Sequence, residues 1–79
     1  MNSDEPPSTL SFLLEPSEAR HLATLCGQFD QHLRQIEERL GVTLHVRGNQ
    51  FTVSGAAPAV NQARSLIEEL YADILVGVG

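Results

Sequence analysis

The spacing of apolar residues changes repeatedly along this chain, and each change marks an element. Leu10, Phe12 and Leu14 alternate with Ser11, Leu13 and Glu15, which predicts a strand over 9–15. Leu13 interrupts the strict alternation and implies that the second face of this strand is partly covered. Ala19, Leu22, Ala23 and Cys26 then follow helical spacing. Pro16-Ser17-Glu18 reads as the start of that helix, with Ser17 as its cap and Glu18 complementing the positive helix end. Gly27 reads as its stop, a left-handed residue just past the last turn. Phe29, Leu33, Ile36 and Leu40 form one narrow stripe at i, i+4, i+7 and i+11, a second helix ended by Gly41.

Val42, Leu44 and Val46 alternate with Thr43, His45 and Arg47. Phe51 and Val53 alternate with Gln50, Thr52 and Ser54. Gly48-Asn49 between these runs is a hairpin signal. Gly55 closes the second run, and Pro58 suits the first turn of a last helix. Val60, Ala63, Ile67, Leu70, Tyr71 and Ile74 make the strongest helical stripe in the chain. The expected order is βααββα. Its apolar faces meet in an α+β two-layer sandwich, with three helices packed on one side of a three-stranded, mainly antiparallel sheet.

Seventy-nine residues allow one domain. Residues 1–8 are polar, acidic and hold Pro6-Pro7, which predicts a disordered tail before a domain over 9–75. Residues 76–79 read as the start of a linker. No apolar run approaches the ~20 residues needed to cross a bilayer. The acidic start has no apolar stretch behind it, so no secretory signal is expected there. The single cysteine excludes an internal disulfide framework, and a cytoplasmic setting is the expectation.

Charge narrows the function. The formal net charge is −5, with five arginines, no lysine and ten acids. A free-standing phosphate binder is usually basic, so any nucleic-acid contact here is expected to be weak, local or helped by a partner. The histidines and the cysteine show no metal-ligand spacing, and no metal is expected. Glu37-Glu38 and Glu68-Glu69 are sequence neighbours about 100° apart on a helix, so they are solvated faces and not an acid/base dyad. Cys26 is in phase with Leu22 near a helix C-terminus, where the dipole disfavours a thiolate, and reads as core. No nucleophile–base constellation stands out, so no catalytic residue is expected in this chain.

The stretch Gly27-Gln28-Phe29-Asp30 carries the most chemistry. A glycine lets a backbone approach a phosphate, and amides at the next helix start can hold it. The competing reading is a plain helix–helix turn in which Asp30 complements the second helix and repels an anion. Phe29 and Tyr71 fall in helical phase with core positions, which leaves little for base stacking. Arg34 lies four residues from both Asp30 and Glu38 and reads either as an exposed ion-pair partner or as a phosphate contact. Arg39 sits where it complements the helix end. His45 and Arg47 share the polar face of a strand leading into the hairpin.

The element order matches the minimal KH unit, in which a Gly-x-x-Gly loop joins the first two helices. The first glycine is present as Gly27 and the second is replaced by Asp30. A longer string, Leu25-Cys26-Gly27-Gln28-Phe29-Asp30, His32-Leu33-Arg34-Gln35-Ile36-Glu37, Arg39-Leu40-Gly41-Val42, Arg47-Gly48-Asn49-Gln50-Phe51 and Ser54-Gly55, resembles the N-terminal region of bacterial PhoH-like proteins. Leu14-Glu15-Pro16 and Leu70-Tyr71 fit as well, so the resemblance covers roughly residues 10–74. It implies a KH-like domain followed by a P-loop ATPase domain, in a family thought to act in RNA metabolism. ATP and Mg would belong to that other domain, because this chain has no Gly-x-x-x-x-Gly-Lys-Ser/Thr run and no lysine. The resemblance makes Gly27, Gln28, Gln31, Arg34, His45 and Arg47 the candidate contacts for single-stranded RNA. The alternative is a docking or oligomerisation module that meets its own ATPase domain or further copies through a degenerate KH groove.

Overall fold

In register, Leu10 and Phe12 oppose Val53 and Phe51, and Leu44 and Val46 oppose the same pair from the other side. A computed structural model describes residues 7–15 and 17–77. Its elements are β1 (Ser8–Leu13), α1 (Ala19–Gly27), α2 (Asp30–Leu40), β2 (Thr43–Arg47), β3 (Gln50–Gly55) and α3 (Ala57–Leu75), the βααββα order expected. The strands form one antiparallel sheet in the order β1-β3-β2. Because side chains alternate across a strand, the six apolar residues above share one face. The helices cover that face over β1 and β3, while Val46 on β2 stays 41% exposed.

α3 organises the core. It packs against α1, α2, β1 and β3, and it supplies five of the twelve buried hydrophobic residues among those described: Val60, Ala63, Ile67, Tyr71 and Ile74. Their spacing keeps one stripe of the helix turned to the sheet. Phe12 and Phe51 stack beneath it with ring centroids 5.9 Å apart. Burying side chains of this size contributes about 1.5–3 kcal/mol each, so this stripe holds the two layers together.

The turns show which glycines the backbone requires. Gly41 ends α2 in the left-handed region (φ 67°), and its N–H and that of Val42 both bond Glu37 O. Gly48 (φ 62°) opens the two-residue turn between Arg47 and Gln50, the primed geometry that suits a hairpin's twist. Asn49 ties this turn to the end of β1. Its Nδ2 donates to Leu14 O at 3.1 Å, and its O accepts from Leu14 N at 3.0 Å.

Several expectations shift. β1 begins at Ser8, which pairs with Gly55, so the predicted disordered tail over 1–8 is one strand residue too long. Residues 1–6 lie outside the described residues, as do Pro16 of the expected helix start and 78–79 of the expected linker. Leu13 is 55% exposed, and the second face of β1 is not covered at that position, because the helices lie on the other side of the sheet. Ser17 does not cap α1. Glu18 holds the N-cap position without a side-chain bond, and Leu22 N bonds Glu18 O at 2.9 Å. Gly27 is the last residue of α1 and is not left-handed. Gln28 follows in the right-handed helical region, and Phe29 caps α2. A chain that passes from one right-handed helix straight into the next needs no left-handed residue between them.

Candidate nucleic-acid interface

The α1–α2 junction is only two residues long, and its hydrogen bonds are local. The Gln28 and Phe29 amides both reach Thr24 O, while Phe29 O accepts from His32 N and Leu33 N. Gly27, Gln28 and Gln31 are exposed. A Cβ at Gly27 would meet nothing within 4 Å. Neither backbone conformation nor crowding therefore requires glycine here, which leaves room for close approach from outside. Phe29 is half-buried against the core, with the His32 ring tilted over it at 5.4 Å, so its ring is not free to stack on a base.

Charge at the junction is balanced. Arg34 Nε sits 3.0 Å from Asp30 Oδ2 one helical turn away. Arg34 is 74% exposed, and an exposed pair of this kind contributes only about 0.3–0.5 kcal/mol. It therefore screens the aspartate without locking the arginine. Asp30 also acts on Cys26. Burial pushes the thiol above its ordinary range, and the nearby carboxylate pushes in the same direction.

α2 meets the free edge of β2 through Glu37. Glu37 Oε2 accepts the Leu44 amide at 2.8 Å. Asp30, Arg34 and Glu37 fall within about one narrow stripe of the helix by their spacing, so Arg34 stands on the side of α2 that borders this strand.

His45 and Arg47 point the other way. Both lie on the outer face of the sheet, in a shallow depression of about 380 Å³ lined with Val46, Gln50 and Thr52 and with no residue of α1 or α2. That face carries Thr9, Ser11, Leu13, Thr43, His45, Arg47, Gln50, Thr52 and Ser54, a set without a carboxylate. Its hydroxyls form cross-strand pairs, Ser11 with Thr52 at 3.0 Å and Thr9 with Ser54 at 3.4 Å. The structure thus gathers Gly27, Gln28, Gln31 and Arg34 around the helix junction. It sets His45 and Arg47 across the β2 edge from them. Gln50 and Thr52 join the second group through hairpin register, a signal present in the alternation of the strands but not used for site finding.

The other arginines are less available than a count of five implies. Arg64 lies 5.8 Å from the Phe12 ring centroid and donates from Nε to Glu68 at 3.1 Å. Among the described residues no group of three His, Cys, Asp or Glu is placed to hold a metal ion, and no helix is long and apolar enough to cross a membrane.

No protein-family model matches the chain. Over 53 residues it is 42% identical to proteins named PhoH-like protein from Mycobacterium bovis and from two strains of Mycobacterium tuberculosis. The match covers 67% of this chain and 15% of each relative's length. This chain is therefore related to one part of a PhoH-like protein, and it spans a small share of the curated relatives it matches.

Proposed function

We propose that this chain is a non-catalytic KH-like domain of a PhoH-like protein, and that it contacts single-stranded RNA weakly. One observation carries the reading. The α1–α2 junction exposes a glycine that neither sterics nor dihedral angles demand, at the loop to which the KH resemblance assigns the phosphate contact. Gln28 and Gln31 supply neutral donors beside it. Arg34 supplies a guanidinium that Asp30 holds only from an exposed position. The acid-free outer face with His45 and Arg47 offers a second, separate contact for a strand passing around the β2 edge.

RNA modules favour single strands with splayed bases, yet Phe29 at this site is half-buried against the core, which leaves the exposed His32 and His45 rings as weak stacking surfaces. Affinity then rests on phosphates and falls with salt. ATP and Mg would be bound by an ATPase domain elsewhere in such a protein, because the residues of this chain do not fit a triphosphate site. The domain's task would be to position RNA for that domain.

A second reading, a docking module with a retired groove, draws on Asp30 at the junction and on Glu37, which already occupies the Leu44 amide. An amide-shift titration with a short single-stranded RNA separates the two. Shifts at Gly27–Gln31, Arg34 and His45–Gly48 that shrink with salt support RNA contact. No shifts at low salt overturn it.

A further inference from the structure

The two edges of the sheet are not alike. Arg47 and Gln50 close the hairpin turn, so Gln50, Thr52 and Ser54 turn their backbone groups to β2, while Phe51 and Val53 turn theirs to β1. Leu10 and Phe12 answer them, in phase with the bond from Leu14 N to Asn49 O at 3.0 Å. Thr9, Ser11 and Leu13 therefore point their N–H and C=O groups away from the sheet, and no other backbone group bonds them among the described residues. β1 also lacks what usually guards an edge. Ser8–Leu13 holds no charge, proline or glycine, and its register with β3 runs without a bulge. β2 is guarded, since Glu37 occupies its Leu44 amide at 2.8 Å. Leu13 lies 55% exposed on the unguarded strand.

We infer that β1 is a dimer edge, where a second copy of this chain adds its own β1 antiparallel and makes one continuous sheet. One register uses all three outward residues and none beyond the strand. It sets Ser11 on Ser11 at the two-fold axis and Thr9 on Leu13 to either side, with each residue both donating and accepting. On the apolar face it sets Leu10, only partly buried in one copy, against Phe12 of the other. Helix placement selects a second copy over an unrelated strand. α3 lies about equally over β1 and β3. The two-fold then sets the two α3 helices two strand spacings apart, about 9–10 Å, which matches the roughly 8–10 Å at which helices pack. The flank of α3 above β1 carries Arg64 and Glu68, already paired at 3.1 Å, so the copies meet without a wall of like charge despite the net charge of −5. A six-residue strand is only ~20 Å long, which places the interface in the weak class, below about 1,200 Å² in total. It shares no residue with the proposed RNA contacts, so either reading can fail alone.

Sedimentation velocity of the whole 79-residue chain, from about 10 µM to about 1 mM, covers the range expected for an interface of this class. The expected result is a concentration-dependent dimer. Ser11→Lys and Ser11→Asp should each weaken it about fivefold or more at low salt, because the axis sets like charges directly opposite. Their thermal melts should stay close to wild type, since Ser11 is exposed. An equimolar mixture of the two should recover a heterodimer, which only a register with Ser11 on itself allows. Amide exchange of the wild type at the two concentrations should show protection growing at Thr9, Ser11 and Leu13 and unchanged at Val46. A monomer across the whole range, a dimer indifferent to both variants, a mixture without recovery, or protection that grows at Val46 and not on β1 would each overturn the inference.

Discussion

Glu37 and Leu44 are seven residues apart, and the glutamate carboxylate accepts the leucine amide at 2.8 Å, closing part of the free edge of β2. In an antiparallel pair only alternate residues bond across the ladder. With Arg47 and Gln50 flanking a two-residue turn, the Leu44 and Val46 amides face outward. An open edge invites pairing with another chain, and a carboxylate on one of its donors is a barrier to that. Glu37→Ala should cost about 1 kcal/mol, since the bond is charge-assisted but only part-buried. Glu37→Gln should keep most of that stability. Urea denaturation of both variants checks it, and equal losses would show that the carbonyl geometry of Gln fails to reach Leu44.

Two glycines should respond in opposite directions to alanine. Gly27→Ala should stabilise by about 0.5–1 kcal/mol, because a helical glycine is replaced where a Cβ meets nothing within 4 Å. At Gly55 a Cβ would lie 2.9 Å from Val42 Cγ1 and 3.3 Å from Gly41 O and Val42 Cα. Gly55→Ala should therefore destabilise by about 1–3 kcal/mol, the usual range for overpacking. Thermal melts decide both. If Gly27→Ala also erases the RNA-induced shifts while raising the melting temperature, glycine is kept there for contact and not for folding.

Asp30→Asn removes a negative charge from the proposed phosphate site and releases Arg34. Stability should fall by about 1 kcal/mol or less, the sum of an exposed ion pair and a first-turn dipole interaction. RNA affinity should rise about two- to fivefold at low salt, with the gain fading as salt screens the site. An unchanged or weaker affinity would mean that no phosphate approaches this helix start.

The Cys26 thiol is held above its ordinary range first by burial and then by Asp30. It should alkylate more slowly than a free thiol at pH 8. Asp30→Asn should speed the reaction only in part, because burial remains. The linkage has a definite sign. With the folded value raised, the contribution to stability is present below the thiol's ordinary value and is lost as pH rises toward the folded one. Cys26→Ser should remove that alkaline loss, which denaturation curves measured between neutral and alkaline pH would reveal.

Alternation and helical stripes determine the elements here with little help from tertiary structure. Leu10/Phe12, Leu44/Val46 and Phe51/Val53 mark three strands, and Val60 to Ile74 marks the longest helix, because a buried face leaves its period in the sequence. Gly41 and Gly48-Asn49 are legible for a similar reason, since a left-handed residue and a two-residue hairpin demand particular amino acids. The candidate contacts at the junction are legible as a glycine break, but the conformation of that break is not. Gly27 carries the residue type of a left-handed stop, and the helix instead runs through it into Gln28, because the docking of both helices on α3 sets the path of the chain.

Tertiary structure alone decides which charges remain available. Arg34 is drawn to Asp30, not Glu38; Arg64 is laid over Phe12; Glu37 is spent on an amide of a neighbouring strand. It also sends His45 and Arg47 to the face opposite the helices. The sequence fixes each element's period because burial acts on residues close along the chain. The partners of an exposed charge depend on how two elements are placed in space, and no local pattern records that.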